Sequence, residues 1–183
     1  AWTDATSGPG HIYLSGYAGD RSMIYRTAVK ADGTALDIPV VAAPLPDGEI
    51  ARSVTAYLNF VVIGTDRGVR FAAPDDAGNL TLGALIPTLN PVYAAEGQDR
   101  FVWYGLTNYD NTTTGLGRLD LKTFTDTLTP AYATDLQAAG QGTVQAVATD
   151  LDKRWFTVSG LGLHKQSTSN VTSGTISGGR VGF

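Results

Sequence analysis

The sequence has no cysteine, one methionine and two histidines among its 183 residues. Without cysteine there is neither a disulfide framework nor a thiolate-ligated metal. Glutamate occurs only at Glu49 and Glu96, so paired-glutamate chemistry has little to draw on. Charged residues are 16% of the chain, below the roughly 25% usual for globular domains. There is no basic surplus: 13 Lys and Arg face 17 Asp and Glu, for a formal net charge of −4. Binding to a phosphate backbone loses its main driving force, and nucleic acid is not an expected partner. No apolar run reaches the roughly 18 residues of a membrane helix, so no membrane insertion is expected. No segment sustains a helical period for three turns. The best helical candidate, Tyr132 to Gln141, meets Gly140 and Gly142 and allows a single turn at most.

What is present is short apolar runs fenced by turn residues. Phe60-Val61-Val62-Ile63, Phe101-Val102-Trp103-Tyr104 and Trp155-Phe156-Thr157-Val158 are rich in β-branched and aromatic side chains, which fit a pleated strand. Asp32-Gly33, Asp47-Gly48 and Asp110-Asn111 punctuate them. Asp and Asn bond their own backbone in turns, and Gly supplies positive φ. The chain reads as all-β with short loops.

The runs belong to a repeat. Each ends at a landmark glycine: Gly16, Gly64, Gly105 and Gly160, spaced 48, 41 and 55 residues apart. A second strand follows each run: Met23-Ile24-Tyr25, Val69-Arg70-Phe71, Arg118 to Leu121, Leu161-Gly162-Leu163. An outer strand then follows: Leu36-Asp37-Ile38, Leu80-Thr81-Leu82, Thr127-Leu128-Thr129, Val171-Thr172-Ser173. In three units a leading strand comes first, at Val54-Thr55-Ala56, Pro91-Val92-Tyr93 and Val144 to Val147. Four antiparallel strands at this spacing is the arithmetic of a β-propeller blade. The expected blades are residues 1–45, 46–88, 89–136 and 137–183, with the apolar run as the inner strand, buried on both faces. Four blades close a small ring or form part of a larger one. A β-sandwich is the competing architecture, since strands of this length suit both. The chain starts at Ala1 without Met and stops on Gly178 to Phe183, which reads as a strand beginning. The expectation is a segment of a longer polypeptide.

Several longer stretches narrow the reading. They are Leu45-Pro46-Asp47-Gly48-Glu49, Ile63 to Arg70, Gly105 to Asp110 with Thr114 to Leu121, and Phe124 to Ala133. Together they resemble minor tail proteins of siphophages that infect actinobacteria, over Leu45 to Phe183. The resemblance implies a propeller module of the distal tail in the virion, structural and adhesive, non-enzymatic. Its implied partners are other phage tail proteins and a host cell-wall glycan, within a homo- or hetero-oligomeric assembly. It carries over no catalytic residue.

The residues themselves offer little chemistry. His11 and His164 lie at opposite ends of the chain beside apolar strands, one reading as a loop residue and the other as an outer-strand residue. Ser159 lies in Val-Ser-Gly-Leu-Gly, outside the Gly-x-Ser-x-Gly elbow. Glu96, Asp99 and Asp110 are the acids that would have to converge for a propeller glycoside hydrolase or lyase, which needs two carboxyls flanking a bond. Asp75-Asp76-Ala77-Gly78-Asn79 has the oxygen density of a Ca²⁺ loop but no terminal glutamate, and a tight turn accounts for it. No metal and no cofactor is expected. The candidate ligand site is the long connection after Trp103, where Asn108, Tyr109, Asp110 and Asn111 combine an aromatic face with amide and carboxylate groups. Sugars are bound by such mixtures. A cellular protein-binding scaffold remains the third reading.

Overall fold

The computed structural model describes residues 1–8, 10–108, 112–124, 129–151 and 153–167. These form fifteen strands and no helix. The strands fall into successive antiparallel meanders, each paired only in chain order. Blade 1 holds β1 (Trp2–Ser7), β2 (Ile12–Ala18), β3 (Arg21–Thr27) and β4 (Val40–Pro44). Blade 2 holds β5 (Ala51–Tyr57), β6 (Phe60–Thr65), β7 (Gly68–Pro74) and β8 (Leu80–Pro87). Blade 3 holds β9 (Ala95–Gln98), β10 (Phe101–Leu106), β11 (Thr113–Phe124) and β12 (Pro130–Ala139). Blade 4 holds β13 (Val144–Asp150), β14 (Lys153–Val158) and β15 (Gly162–Ser167) among the described residues. The first strands β1, β5, β9 and β13 lie against one another in that order. This is a β-propeller.

Burial explains the apolar runs. Three clusters fill the spaces between consecutive blades. Tyr13, Ile24, Val54, Val61 and Ile63 join blades 1 and 2. Val62, Phe71, Val102, Tyr104 and Leu119 join blades 2 and 3. Trp103, Leu116, Val144, Phe156 and Val158 join blades 3 and 4. Adjacent residues of β6 and β10 therefore point into different clusters, and neither strand alternates apolar with polar.

The apolar run is not the innermost strand. It is the second, flanked on one side by a shorter and more polar first strand. Blade 1 has such a strand too, at Trp2–Ser7, where none was expected. Blade 3 places it at Ala95–Gln98 rather than at Pro91-Val92-Tyr93. The outer strand of blade 1 is Val40–Pro44 and not Leu36-Asp37-Ile38, because Ala42 and Ala43 reach the core whereas Ile38 is 87% exposed. Leu36 makes only an isolated bridge to Val29. The proposed turn of helix at Tyr132 to Gln141 is the strand β12. It pairs with β11 along its length, bulging between Leu116 and Gly117, so the blade boundary falls after Ala139 rather than at 136. Residues 127, 128 and 171–173, assigned to outer strands, lie outside the described residues.

The landmark glycines are only partly equivalent. β1, β5 and β13 share a bulge against their second strand, after Trp2, Ala51 and Val144. That common feature aligns Gly64 with Ser15 and Thr157, and Gly105 takes the same place because Trp103 and Tyr104 before it enter successive clusters as Val62 and Ile63 do. Gly16 lies one position beyond Ser15, and Gly160 lies in a turn.

Candidate functional site

Two ends of the blade stack are available for binding. One end bears the turns between second and third strands and the links between blades. Asn108 is there, at φ 42°. Its Oδ1 accepts from the Gly142 amide at 2.6 Å, and its carbonyl accepts from Asn90 Nδ2 at 3.1 Å. Thr107 Oγ1 accepts from Val144 N at 3.1 Å. The side-chain oxygen expected to take a ligand hydroxyl is thus engaged with the link after β12, and the backbone carbonyl with the link before β9. Tyr109, Asp110 and Asn111 lie outside the described residues. Asn108→Ala is expected to cost about 1–2 kcal/mol, from a lost acceptor and a less tolerated backbone. Denaturant unfolding checks it, with a midpoint unchanged from wild type counting against it.

The opposite end bears the turns between first and second strands. Three of these open on a residue in the left-handed region: Leu58 at φ 53°, Asp99 at 55° and Leu151 at 50°. Such turns ordinarily take Asn, Asp or Gly. Asp99 fits the rule. Leu58 and Leu151 do not, and each incurs a backbone cost on the order of 1 kcal/mol. Neither recovers it by burial, since they are 57% and 84% exposed. The Asp99 and Leu151 turns are held by the preceding blade: Tyr57 Oη donates to the Asp99 carbonyl at 3.0 Å, and Gln98 Nε2 donates to the Leu151 carbonyl.

Between the Leu58 and Asp99 turns lies a groove of about 560 Å³, lined by Leu58, Asp99, Arg100, Phe101, Leu121 and Lys122. Arg100 pairs with Asp120 at 3.2 Å. The Phe101 ring is approached by two guanidinium groups, Arg100 at 4.7 Å and Arg118 at 4.5 Å, an arrangement that fixes its orientation. The groove thus has an apolar lining and a charged rim. Val29, Leu36 and Ile38, in the connection between β3 and β4 at the same end, add further exposed apolar surface.

The acids proposed for hydrolysis are spread differently. Glu96 lies opposite Trp103 on β9, and burial raises its carboxyl above the ordinary glutamate range. Asp99 is in the turn three residues on. Burial, with Asp99 and Glu96 nearby, also raises the Tyr57 hydroxyl. Asp110 lies outside the described residues. His164 stacks on Phe156 with centroids 5.1 Å apart, and His11 tilts against Tyr13 at 6.4 Å. No three His, Asp or Glu among the described residues converge as metal ligands. Asp75 is engaged within its own turn: its two carboxylate oxygens accept from the Asn79 amide and side chain at 2.7 and 2.9 Å.

The leucine turns escaped the sequence reading, yet a signal existed. Leu58-Asn59 occupies the slot between two strands where Asn-Gly or Asp-Gly belongs, and Leu151 directly follows β13 in the same way.

No described family pattern matches the sequence, and no curated protein does. Solved structures are similar in fold. The computationally designed Ika4 protein superposes with a TM-score of 0.64 and 14% identity, covering 91% of each chain. The computationally designed Ika8 protein gives 0.60 and 16%, covering 98% of this chain and 50% of its own. The WD40 domain of Neurospora crassa Pan2 gives 0.54 and 10%, covering 94% and 51%. This chain spans about half the length of the latter two. At such identities the likeness is one of fold, and it is with propellers.

Proposed function

We propose that this propeller is a non-enzymatic binding module that docks a protein partner on its leucine-turn end. The observation that carries the reading is Leu58 and Leu151, exposed apolar residues held in a backbone conformation that disfavours leucine. A fold selected for stability alone would place Asn, Asp or Gly there. Stability is given up at binding sites in this way. The adjoining groove supplies an apolar seat with Arg100 and Lys122 at its rim, which suits an apolar side chain flanked by acidic ones. The resemblance to siphophage minor tail proteins sets the context: a structural and adhesive piece of the tail tip, with neighbouring tail proteins as partners and a host-wall glycan as a further ligand.

Leu58→Asn and Leu151→Asn should each stabilise the fold by roughly 0.5–1 kcal/mol, because Asn tolerates the left-handed region. They should also weaken partner capture at least tenfold. Photo-cross-linking residues at 58 and 151 in purified particles should join this chain to a second tail protein. Unchanged capture by the Asn variants, or cross-links only from the opposite end, would overturn the docking face. Absence of the chain from particles would overturn the tail context.

A further inference from the structure

The groove of about 560 Å³ lies between blades 2 and 3. Each of these blades packs against a neighbour on both sides, so both walls of the groove are fully built. Leu121 packs on the apolar cluster that joins the two blades, and Leu58, 57% exposed, lines the groove from blade 2. Two residues past Lys122, the Phe124 ring crosses to blade 2 and packs on Phe60 and Phe71, with centroids 5.6 and 5.2 Å apart. Phe124 nonetheless stays 37% exposed and prolongs the apolar surface along the same seam. The volume is that of pockets which enclose a small ligand, so a few residues of a partner fill it.

The lining side chains carry neither hydroxyl nor amide. The one aromatic ring among them, Phe101, already holds the guanidinium groups of Arg100 and Arg118 over it. A sugar therefore finds its stacking platform taken and no neutral hydrogen-bonding side chain beside it. The charges suit a peptide instead. Asp120 Oδ1 accepts from Lys122 N at 3.0 Å, and Asp120 Oδ2 pairs with Arg100 Nη2 at 3.2 Å. This offsets Arg100 and fixes the backbone from which Lys122 emerges. The Lys122 ammonium is exposed and has no ion pair among the described residues. Asp99, also exposed on the rim, can accept backbone N–H groups, which every peptide offers. Lys122 is the selective group, since only an anion balances its charge. We infer that the groove takes a short linear segment of another protein in which a large apolar residue neighbours Asp or Glu, and that Lys122 selects the acid. The inference rests on the docking reading above and names what that end recognises.

A displayed library of random short peptides, selected on the immobilised chain, is the probe. The expected consensus is Leu, Ile, Phe or Trp beside Asp or Glu. Synthetic peptides of that consensus should bind more weakly as salt rises, and a photo-cross-linking residue at position 58 should capture them. Lys122→Glu should weaken their binding at least about tenfold, because attraction becomes repulsion. Replacing the acid of the peptide by Lys should restore binding to Lys122→Glu and abolish it for the wild type. Lys122 is exposed, so the variant keeps its fold, which circular dichroism checks. No enriched consensus, an apolar consensus without an acid, or undiminished binding by Lys122→Glu would overturn the inference. Failure of the peptides together with particle cross-links from positions 58 and 151 would leave the docking end standing and show that it meets a folded surface. Peptides that bind as described, with particle cross-links only from the opposite end, would uphold the specificity of the groove and overturn the docking face.

Discussion

Replacing Glu49 with alanine should destabilise the fold by about 3–5 kcal/mol, the range for removing one partner of a buried ion pair. The Glu49 side chain is 1% exposed and that of Arg70 is 13% exposed. Arg70 Nε donates to both carboxylate oxygens at 2.9 and 3.0 Å, and Nη2 donates to Oε2 at 2.7 Å. A third nitrogen, Nη1, donates to the Gly83 carbonyl at 2.9 Å. Glu49 sits in the link from blade 1 to blade 2, whereas Arg70 is on β7 within blade 2. The pair therefore clamps an irregular segment onto the sheet it introduces. The same link is tied again by Ile50 N to Asp66 Oδ1 at 2.8 Å and by Asp66 N to the Ile50 carbonyl at 3.0 Å. In the alanine variant the guanidinium stays buried with its charge uncompensated, and that desolvation dominates the loss. Glu49→Leu combined with Arg70→Met should recover much of the difference, since both charges then leave together. Urea unfolding of Glu49→Leu, Arg70→Met and their combination measures this as a cycle. Additive losses would show that the clamp is not a coupled pair.

The sequence makes the second and third strands legible because they lie between two blades and must be apolar on both faces. Val61, Val62 and Ile63 read as strand for the same reason that they are 0%, 1% and 0% exposed. The first strands are less legible because their contacts are polar. Asp4 Oδ2 and Thr6 Oγ1 of β1 accept from the Val54 and Ala56 amides of β5, each at 3.0 Å. Thr55 Oγ1 donates to the Ala95 carbonyl at 2.9 Å. Trp-Thr-Asp-Ala-Thr-Ser has no hydrophobic pattern because its side chains satisfy a neighbouring strand's backbone instead of filling a core. Leu36-Asp37-Ile38 misled for the opposite reason: it alternates as a strand should, but β4 four residues later holds the place beside β3. In the candidate site, the residue type of Asn108 points to a ligand, yet its side-chain oxygen is used internally. Leu58 and Leu151 are inconspicuous in the sequence because leucine in a hairpin stands out only once its backbone angle is known.

Gly64→Ala should cost about 3 kcal/mol, at the upper end of the range for overpacking. A Cβ on Gly64 would lie 2.3 Å from the Val92 carbonyl oxygen, 2.3 Å from Ser53 Oγ and 3.0 Å from Val92 Cγ1. Ser53 can rotate away only by giving up its bond to that carbonyl, at 3.2 Å. Val92 cannot move alone, because its amide donates to the Thr65 carbonyl at 3.0 Å. The alanine therefore displaces the link between blades 2 and 3. Gly105 holds the equivalent place one blade on, where a Cβ would meet Val144 Cγ1 at 2.6 Å and Cβ at 2.8 Å. There the obstacle is a side chain, so Gly105→Ala combined with Val144→Gly, which removes both atoms, should cost less than the sum of the two single substitutions. No such rescue exists for Gly64, whose obstacle is backbone. Thermal unfolding of these variants separates two explanations of the repeated glycine. A turn requirement predicts similar losses at both positions and no rescue. Close approach of the next blade predicts the larger loss at Gly64 and rescue only at Gly105, and the two distances favour the second.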